Sequence, residues 1–139
     1  MILHPQLDND CFIIGRFPLS VLLLLNDNNY PWFILVPQRP NITEIHQLSE
    51  PDQMQLMRES SQLAVCIERD FAADKINIAA LGNVVPQLHI HHIVRYKSDP
   101  AWPAPVWGKV TAIPYSKHAA QELCQRMRTL LKSDSFQTS

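Results

Sequence analysis

The chain has 139 residues, a length that suits one domain able to bury about two-thirds of its extended-chain surface without staples. Twelve basic side chains against thirteen acidic ones leave no global field to gather a nucleic-acid polymer or an acidic membrane, so an anionic ligand must be held locally. Cys11, Cys66 and Cys124 are odd in number and contain no Cys-X-X-Cys pair. That argues against a disulfide framework or a zinc knuckle, and for free thiols in a reducing, cytoplasmic setting.

Residues 1–10 lack the basic start and apolar run of a secretory signal, and the longest apolar run, residues 21–25, is too short to span a bilayer. No membrane association is expected. Residues 11–15, 20–26 and 32–36 are rich in β-formers, and the turn-forming groups Arg16-Phe17-Pro18 and Asn26-Asp27-Asn28-Asn29-Tyr30-Pro31 separate them. This predicts a β-meander. Periodicity alone would also allow a helix at residues 22–25, but so short a run between turn signals favours a central strand.

Residues 49–72 read as the main helix. Ser49 can cap it, Asp52 sits in the capping-box position, Pro51 is tolerated in the first turn, and Glu50 and Asp52 suit the positive end of the dipole. Leu56, Ser60, Leu63, Ile67 and Phe71 should form its buried stripe, with Met57 and Ala64 beside it. Residues 74–81 follow as a strand that alternates Ile76, Ile78 and Ala80 with Lys75, Asn77 and Ala79. Gly82-Asn83 then turns. A glycine there lets backbone N–H groups approach an anion, although a plain hairpin explains Gly82 equally well.

Val85-Pro86-Gln87-Leu88-His89-Ile90-His91-His92-Ile93-Val94-Arg95 holds three of the six histidines within four positions of a stretch that otherwise reads as a strand. Alternation puts Gln87, His89, His91 and Ile93 on one face and Leu88, Ile90, His92 and Val94 on the other. Cβ atoms two apart lie about 6.5 to 7 Å from one another, close enough for several side chains to act on one phosphate or metal. A lone strand histidine is more often a ring bonded to a carbonyl at a sheet rim, and His92, facing the opposite way, fits that description.

Residues 97–114 carry Pro100, Pro103, Pro105 and Pro114 with Trp102 and Trp107, so they form neither an interior strand nor a helix, yet are too aromatic for a free linker. The tryptophans could shelve a base or close a pocket, or anchor the loop to the core or a second subunit. Residues 116–132 read as a second helix, capped by Ser116 and apolar at Leu123, Met127, Leu130 and Leu131, with Arg126, Arg128 and Lys132 favourable at its end. Residues 133–139 should fray.

The spacing of Gln87, His89 and His91, closed by Val94-Arg95, resembles the signature of the histidine triad (HIT) superfamily, His-apolar-His-apolar-His-apolar-apolar. Phe33-Ile34-Leu35-Val36-Pro37-Gln38-Arg39-Pro40, Ile45-His46-Gln47-Leu48-Ser49 and Leu81-Gly82-Asn83 repeat the order of that superfamily's blocks, over about residues 11–97. On this register His89 corresponds to the nucleophile, His91 to the third histidine, and Gln87 stands where the first would be. The Gly82-Asn83 loop is also shorter than the family's usual Gly-Gln stretch.

The resemblance implies an α+β fold in one domain, 1–139: an antiparallel sheet of about five strands, one main helix, and an appended Pro/Trp-rich loop and C-terminal helix at 98–132. It implies a homodimer, and a hydrolase or transferase that cleaves at a nucleoside α-phosphate through a nucleotidyl-His89 intermediate. Substrates would be dinucleoside polyphosphates or nucleoside phosphoramidates, adenine nucleotides foremost, with His91 and Gln87 assisting. Asn83 and Gly82 would meet the phosphates and Trp107 the nucleotide. Asn26 would lie near the ribose or base, though it is equally natural as a turn residue. No resident cofactor is called for; a divalent cation would come bound to the substrate. Two rival readings stand beside this one: a metal-binding module, its His-X-His completed by His46, His118 or an acidic residue, and a degenerate triad protein that binds nucleotides without turnover.

Overall fold

The computed structural model describes residues 1–138. Five strands, β1 (Cys11–Arg16), β2 (Ser20–Leu25), β3 (Trp32–Pro37), β4 (Lys75–Ala79) and β5 (Ile90–Arg95), form one antiparallel sheet in the order β1-β2-β3-β5-β4. The helices are α1 (Pro5–Asp10), α2 (Glu50–Asp70) and α3 (Lys117–Leu131). This is the expected α+β architecture, and its two faces explain why the strands read as continuous apolar runs. Leu22, Leu24, Phe33, Leu35, Ile90 and Val94 pack beneath α2 and α3. Val21, Leu23, Trp32, Ile34 and Ile93 pack on the opposite face with Leu7 of α1 and with Ala101 and Val106 of the Pro/Trp-rich loop. Both faces of a central strand are buried, so both need apolar side chains.

Several boundaries differ from expectation. The short α1 was not foreseen, although Pro5 at its first position is a start signal; His4 Nδ1 accepts the Gln6 N–H at 3.1 Å. The fourth strand is Lys75–Ala79, shorter than residues 74–81, and the histidine strand starts only at Ile90. Residues 133–138 do not fray. Phe136 is buried edge-on against Phe17, and Gln137 and Arg16 exchange two backbone hydrogen bonds of 2.7 and 2.9 Å. A Cβ at Gly15 would stand 2.4 Å from the Gln137 carbonyl, so a residue without one is required there. Ser139 lies outside the described residues.

Ser49 caps α2 by accepting the Asp52 N–H, as its sequence suggests. The buried stripe is rotated from the expected one: Leu56, Ser60, Leu63 and Ile67 are joined by Glu59 and Cys66, whereas Met57 is 67% exposed. Glu59 faces inward because the chain entering β2 needs acceptors. Its carboxylate takes the N–H groups of Leu19 and Ser20 at 2.8 and 3.0 Å, with Gln55 donating a third bond. Glu59→Ala should orphan two buried donors and lower unfolding stability by about 2–4 kcal/mol, with Glu59→Gln intermediate, as read from urea midpoints.

On α3, capped by Ser116, the buried positions are Ala120, Cys124, Met127 and Leu131; Leu130 is 43% exposed and Leu123 half-buried. Small Ala120 and Cys124 let the helix settle close to the sheet, a role a search for bulky apolar residues passes over. Arg128 reaches the carbonyls of Ile13 and Ile14, where the β1–β2 register shifts by one residue and leaves ladder acceptors to be satisfied. No helix among the described residues is long and apolar enough to cross a membrane.

Candidate active site

Pro86 has no N–H to give a ladder, and the Leu88 N–H is taken by the Ile42 carbonyl, so residues 85–89 run as an irregular segment before β5 pairs with its neighbours. From there the register sets His91 opposite Ile34 of β3 and Ala79 of β4. His89 precedes the strand. Its Nδ1 donates to the Gln87 carbonyl at 2.7 Å, since a carbonyl can only accept, and Nε2 therefore keeps the lone pair.

His91 lies beside it, ring centroids 4.9 Å apart. The Trp32 indole N–H donates to His91 Nδ1 at 2.9 Å, and the Trp107 ring stands edge-on at 5.1 Å. Burial and the neighbouring His89 push the His91 pKa down to about 4, against a smaller opposing pull from the Leu81 carbonyl. His92 is on the helical side, as its position in the alternation suggested. Its Nδ1 donates to the Ile90 carbonyl at 3.1 Å, Ser60 donates to Nε2 at 2.7 Å, and burial pushes its pKa down to about 4.

Both rings are neutral when folded and titrate near the ordinary value of about 6.5 when unfolded. Between those values the unfolded chain binds more protons, so stability rises with pH. Their contribution is complete above about pH 6.5 and is lost as pH falls toward 4, by up to roughly 3 kcal/mol per ring. Urea midpoints measured across this window should fall steeply with acid; a flat profile would contradict the buried neutral rings.

His89 lines a cleft of about 130 Å³ together with Thr43, Glu44, Gly82, Asn83 and Gln87. Gly82 passes so near that a Cβ there would stand 2.9 Å from the Val85 carbonyl and 3.8 Å from the His89 ring. A larger groove of about 890 Å³, between α3 and the Asn28–Pro31 turn, contains no histidine. The side chain of Gln87, which borders the same cleft, is engaged by the N-terminal segment. Its amide donates to the Ile2 carbonyl at 2.9 Å and accepts the His4 N–H at 2.7 Å, clasping the N-terminal segment, which Gln38 holds from the other side.

Asn26 stands apart from this group. Three rows along the sheet and two strands across from His91, it is roughly 14 Å away, and its side-chain oxygen accepts the Tyr115 N–H at 2.8 Å. The two loop tryptophans have separate tasks. Trp107, 37% exposed, walls the His91 ring and packs on Trp32, while Trp102 is stacked on Arg95 with its guanidinium carbon 5.5 Å from the ring centroid.

Arg95, which closes the motif, is buried. It pairs with Asp99 through two bonds of 2.8 and 3.1 Å and also donates to Asn77 and the Ala104 carbonyl. Asp99 further accepts the N–H groups of Tyr96, Ala101 and Trp102. Burial alone would raise its pKa, but Arg95 and these donors outweigh that and hold it below its ordinary value. The cluster pins the loop that delivers Trp107. Among the described residues, no group of three or more His, Cys, Asp or Glu side chains could hold a metal. His118 instead faces Glu122 on the surface of α3.

A family model described as the HIT domain matches residues 6–98. Solved structures of histidine triad proteins overlie nearly the whole chain. One from Marinobacter aquaeolei VT8 is 47% identical over 94% of this chain and 95% of its own, with a TM-score of 0.91. One from Bradyrhizobium japonicum is 44% identical over 94% and 98%, TM-score 0.91. A third, from Sinorhizobium meliloti 1021, is 41% identical over 94% and 96%, TM-score 0.90. The C. elegans NitFhit protein, 17% identical with a TM-score of 0.65, shares the fold alone. No curated protein matches. With the family model spanning most of the chain and these structures agreeing with it, the chain belongs to the histidine triad (HIT) family.

Proposed function

We propose that the protein cleaves the bond between a nucleoside α-phosphate and its substituent through a nucleotidyl-His89 intermediate. The observation that carries this is the pinned tautomer of His89: Nδ1 donates to the Gln87 carbonyl at 2.7 Å, so Nε2 holds a lone pair beside a cleft lined by Gly82 and Asn83. A nucleophilic imidazole needs one nitrogen free for in-line attack and the other tied. When Nε2 bonds to phosphorus the ring becomes cationic, and the Gln87 carbonyl stabilises that charge through Nδ1–H. Attack by water on the adduct releases the nucleoside monophosphate.

The cleft, at about 130 Å³, is smaller than the ~300–1,000 Å³ of a whole small-ligand pocket. It suits phosphates, with Asn83 and the Gly82 backbone as donors, while the nucleoside extends beyond it along Trp107. An adenine nucleotide is the first substrate to try, and a homodimer the assembly to look for. The test is intact-mass analysis after mixing with diadenosine tetraphosphate: a nucleotidyl adduct that maps to His89 and decays to AMP is expected. Tight AMP binding with neither adduct nor AMP release would replace this reading with a nucleotide binder, the alternative favoured by the engagement of Gln87 with the N-terminal segment.

A further inference from the structure

Trp32 and His91 come from adjacent strands, and the indole Nε1 stands 2.9 Å from His91 Nδ1. An indole N–H can only donate. Nδ1 must therefore carry the lone pair, which leaves the ring's one proton on Nε2. Protonating Nδ1 would set two N–H groups against each other in a space that Trp107 helps close, with the ring 7% exposed. So fixed, His91 is a hydrogen-bond donor and not an acid: a neutral imidazole does not release its N–H proton at biological pH.

The neighbouring groups offer no substitute. The Gln87 amide has no labile proton and is tied to the N-terminal backbone. His4 Nδ1 is occupied by the Gln6 N–H, and the His89 Nδ1 proton is held by the Gln87 carbonyl. Glu44, an exposed carboxylate, lines the cleft and serves below as a control.

We infer that Trp32 is a positioning residue that fixes His91 as a neutral Nε2–H donor, and that the site consequently selects nucleotides whose leaving group departs as an anion. Those are phosphoric anhydrides, as opposed to phosphoramidates of amines. The inference rests on the nucleotidyl-His89 reading. The His89 Nε2 lone pair bonds to the α-phosphorus, the bridging P–O bond breaks, and its electron pair leaves on an oxygen of the departing polyphosphate, which is stable as an anion. His91 donates a hydrogen bond to that oxygen without transferring its proton. Water then bonds to phosphorus, the P–N bond returns its pair to His89, and the water proton goes to solvent. An amine leaving group needs a proton as it departs, and His91 held as a neutral donor does not supply one, so that proton must come from solvent. General acids contribute about 10²- to 10⁴-fold where they act, so phosphoramidates should be slower by that order.

Two measurements test this. In protein labelled with ¹⁵N-histidine at pH 7, His91 should show an unprotonated Nδ1 and a protonated Nε2, and Trp32→Phe should shift it to a tautomer mixture; a protonated Nδ1 in the unaltered protein overturns the lock. Single-turnover rates for diadenosine tetraphosphate should exceed those for adenosine phosphoramidate by about 10²-fold or more, and Trp32→Phe should narrow that ratio. Comparable rates for the two substrates overturn the selectivity, and loss of phosphoramidate turnover in Glu44→Gln would name the overlooked acid. Absence of turnover on both substrates removes the hydrolase reading and the leaving-group inference together, while the ¹⁵N pattern still decides whether Trp32 fixes the ring.

Discussion

His89→Asn is expected to lower AMP release from diadenosine tetraphosphate by several orders of magnitude while changing AMP affinity little. Asparagine keeps a polar group of similar reach but supplies no nucleophilic lone pair, so an interaction made only during reaction is removed and ground-state binding is retained. The same reasoning separates the neighbouring ring. His91→Asn removes one transition-state donor, for which about 10²- to 10³-fold in rate is the usual scale. It should also let nucleotide accumulate on His89 where water attack is the step most harmed. Single-turnover kinetics with intact-mass detection distinguishes the two variants, and small equal losses in both would mean that the site binds phosphate without covalent catalysis.

The largest stability effect should come from Arg95→Met. Arg95 and Asp99 are 2% and 3% exposed, so removing the cation leaves a carboxylate out of water with only neutral donors around it. Breaking a buried pair from one side costs about 3–5 kcal/mol. Replacing both partners, as in Arg95→Met with Asp99→Leu, should cost less than Arg95→Met alone. The pH dependence supplies a check. Asp99 has a depressed pKa when folded, so in the unaltered protein its stabilisation is present above the unfolded carboxyl value near 3.9 and is lost as pH falls through the lower folded value. In Arg95→Met the buried carboxylate prefers its proton, and the deficit should shrink toward low pH. Urea unfolding at pH 7 and pH 4.5 reads both effects, and Trp107 fluorescence reports whether the loop has left His91.

What the sequence made legible was local or periodic. The meander, the Ser49 cap of α2, the Ser116 cap of α3 and the opposite facing of His92 all follow from signals a few residues long. The misses have two kinds of cause. Gln87 keeps its place in the alternation, with Leu88 in the core beneath the helices, but its partners at Ile2 and His4 lie more than eighty positions earlier. Glu59 does not stand out in an apolar stripe because its partners, the N–H groups of Leu19 and Ser20, are supplied by a chain reversal about forty positions earlier. Trp32 and His91 are 59 residues apart and meet only through the β3–β5 register, which hydrophobic patterning does not specify. Arg95 and Asp99 carried a visible signal, opposite charges four apart. It went unread because the pair straddles a strand end, where helical spacing has no evident meaning.

The C-terminal segment that pairs with Arg16 also bears on assembly. β1 and β4 are the two edges of the sheet, and an unpaired edge is a template for another strand. Gln137 occupies the Arg16 end of β1 with backbone bonds in both directions, while β4 has β5 on one side and no strand on the other among the described residues. Copies of this chain that joined by strand addition at β4 would present blunted β1 edges outward on both sides. A filament needs two free edges per molecule, and the Gln137 bridge makes the Arg16 end of β1 a poorer template than β4. Removing the segment that holds Gln137 would free the Arg16 end as well and leave β1 open along its length.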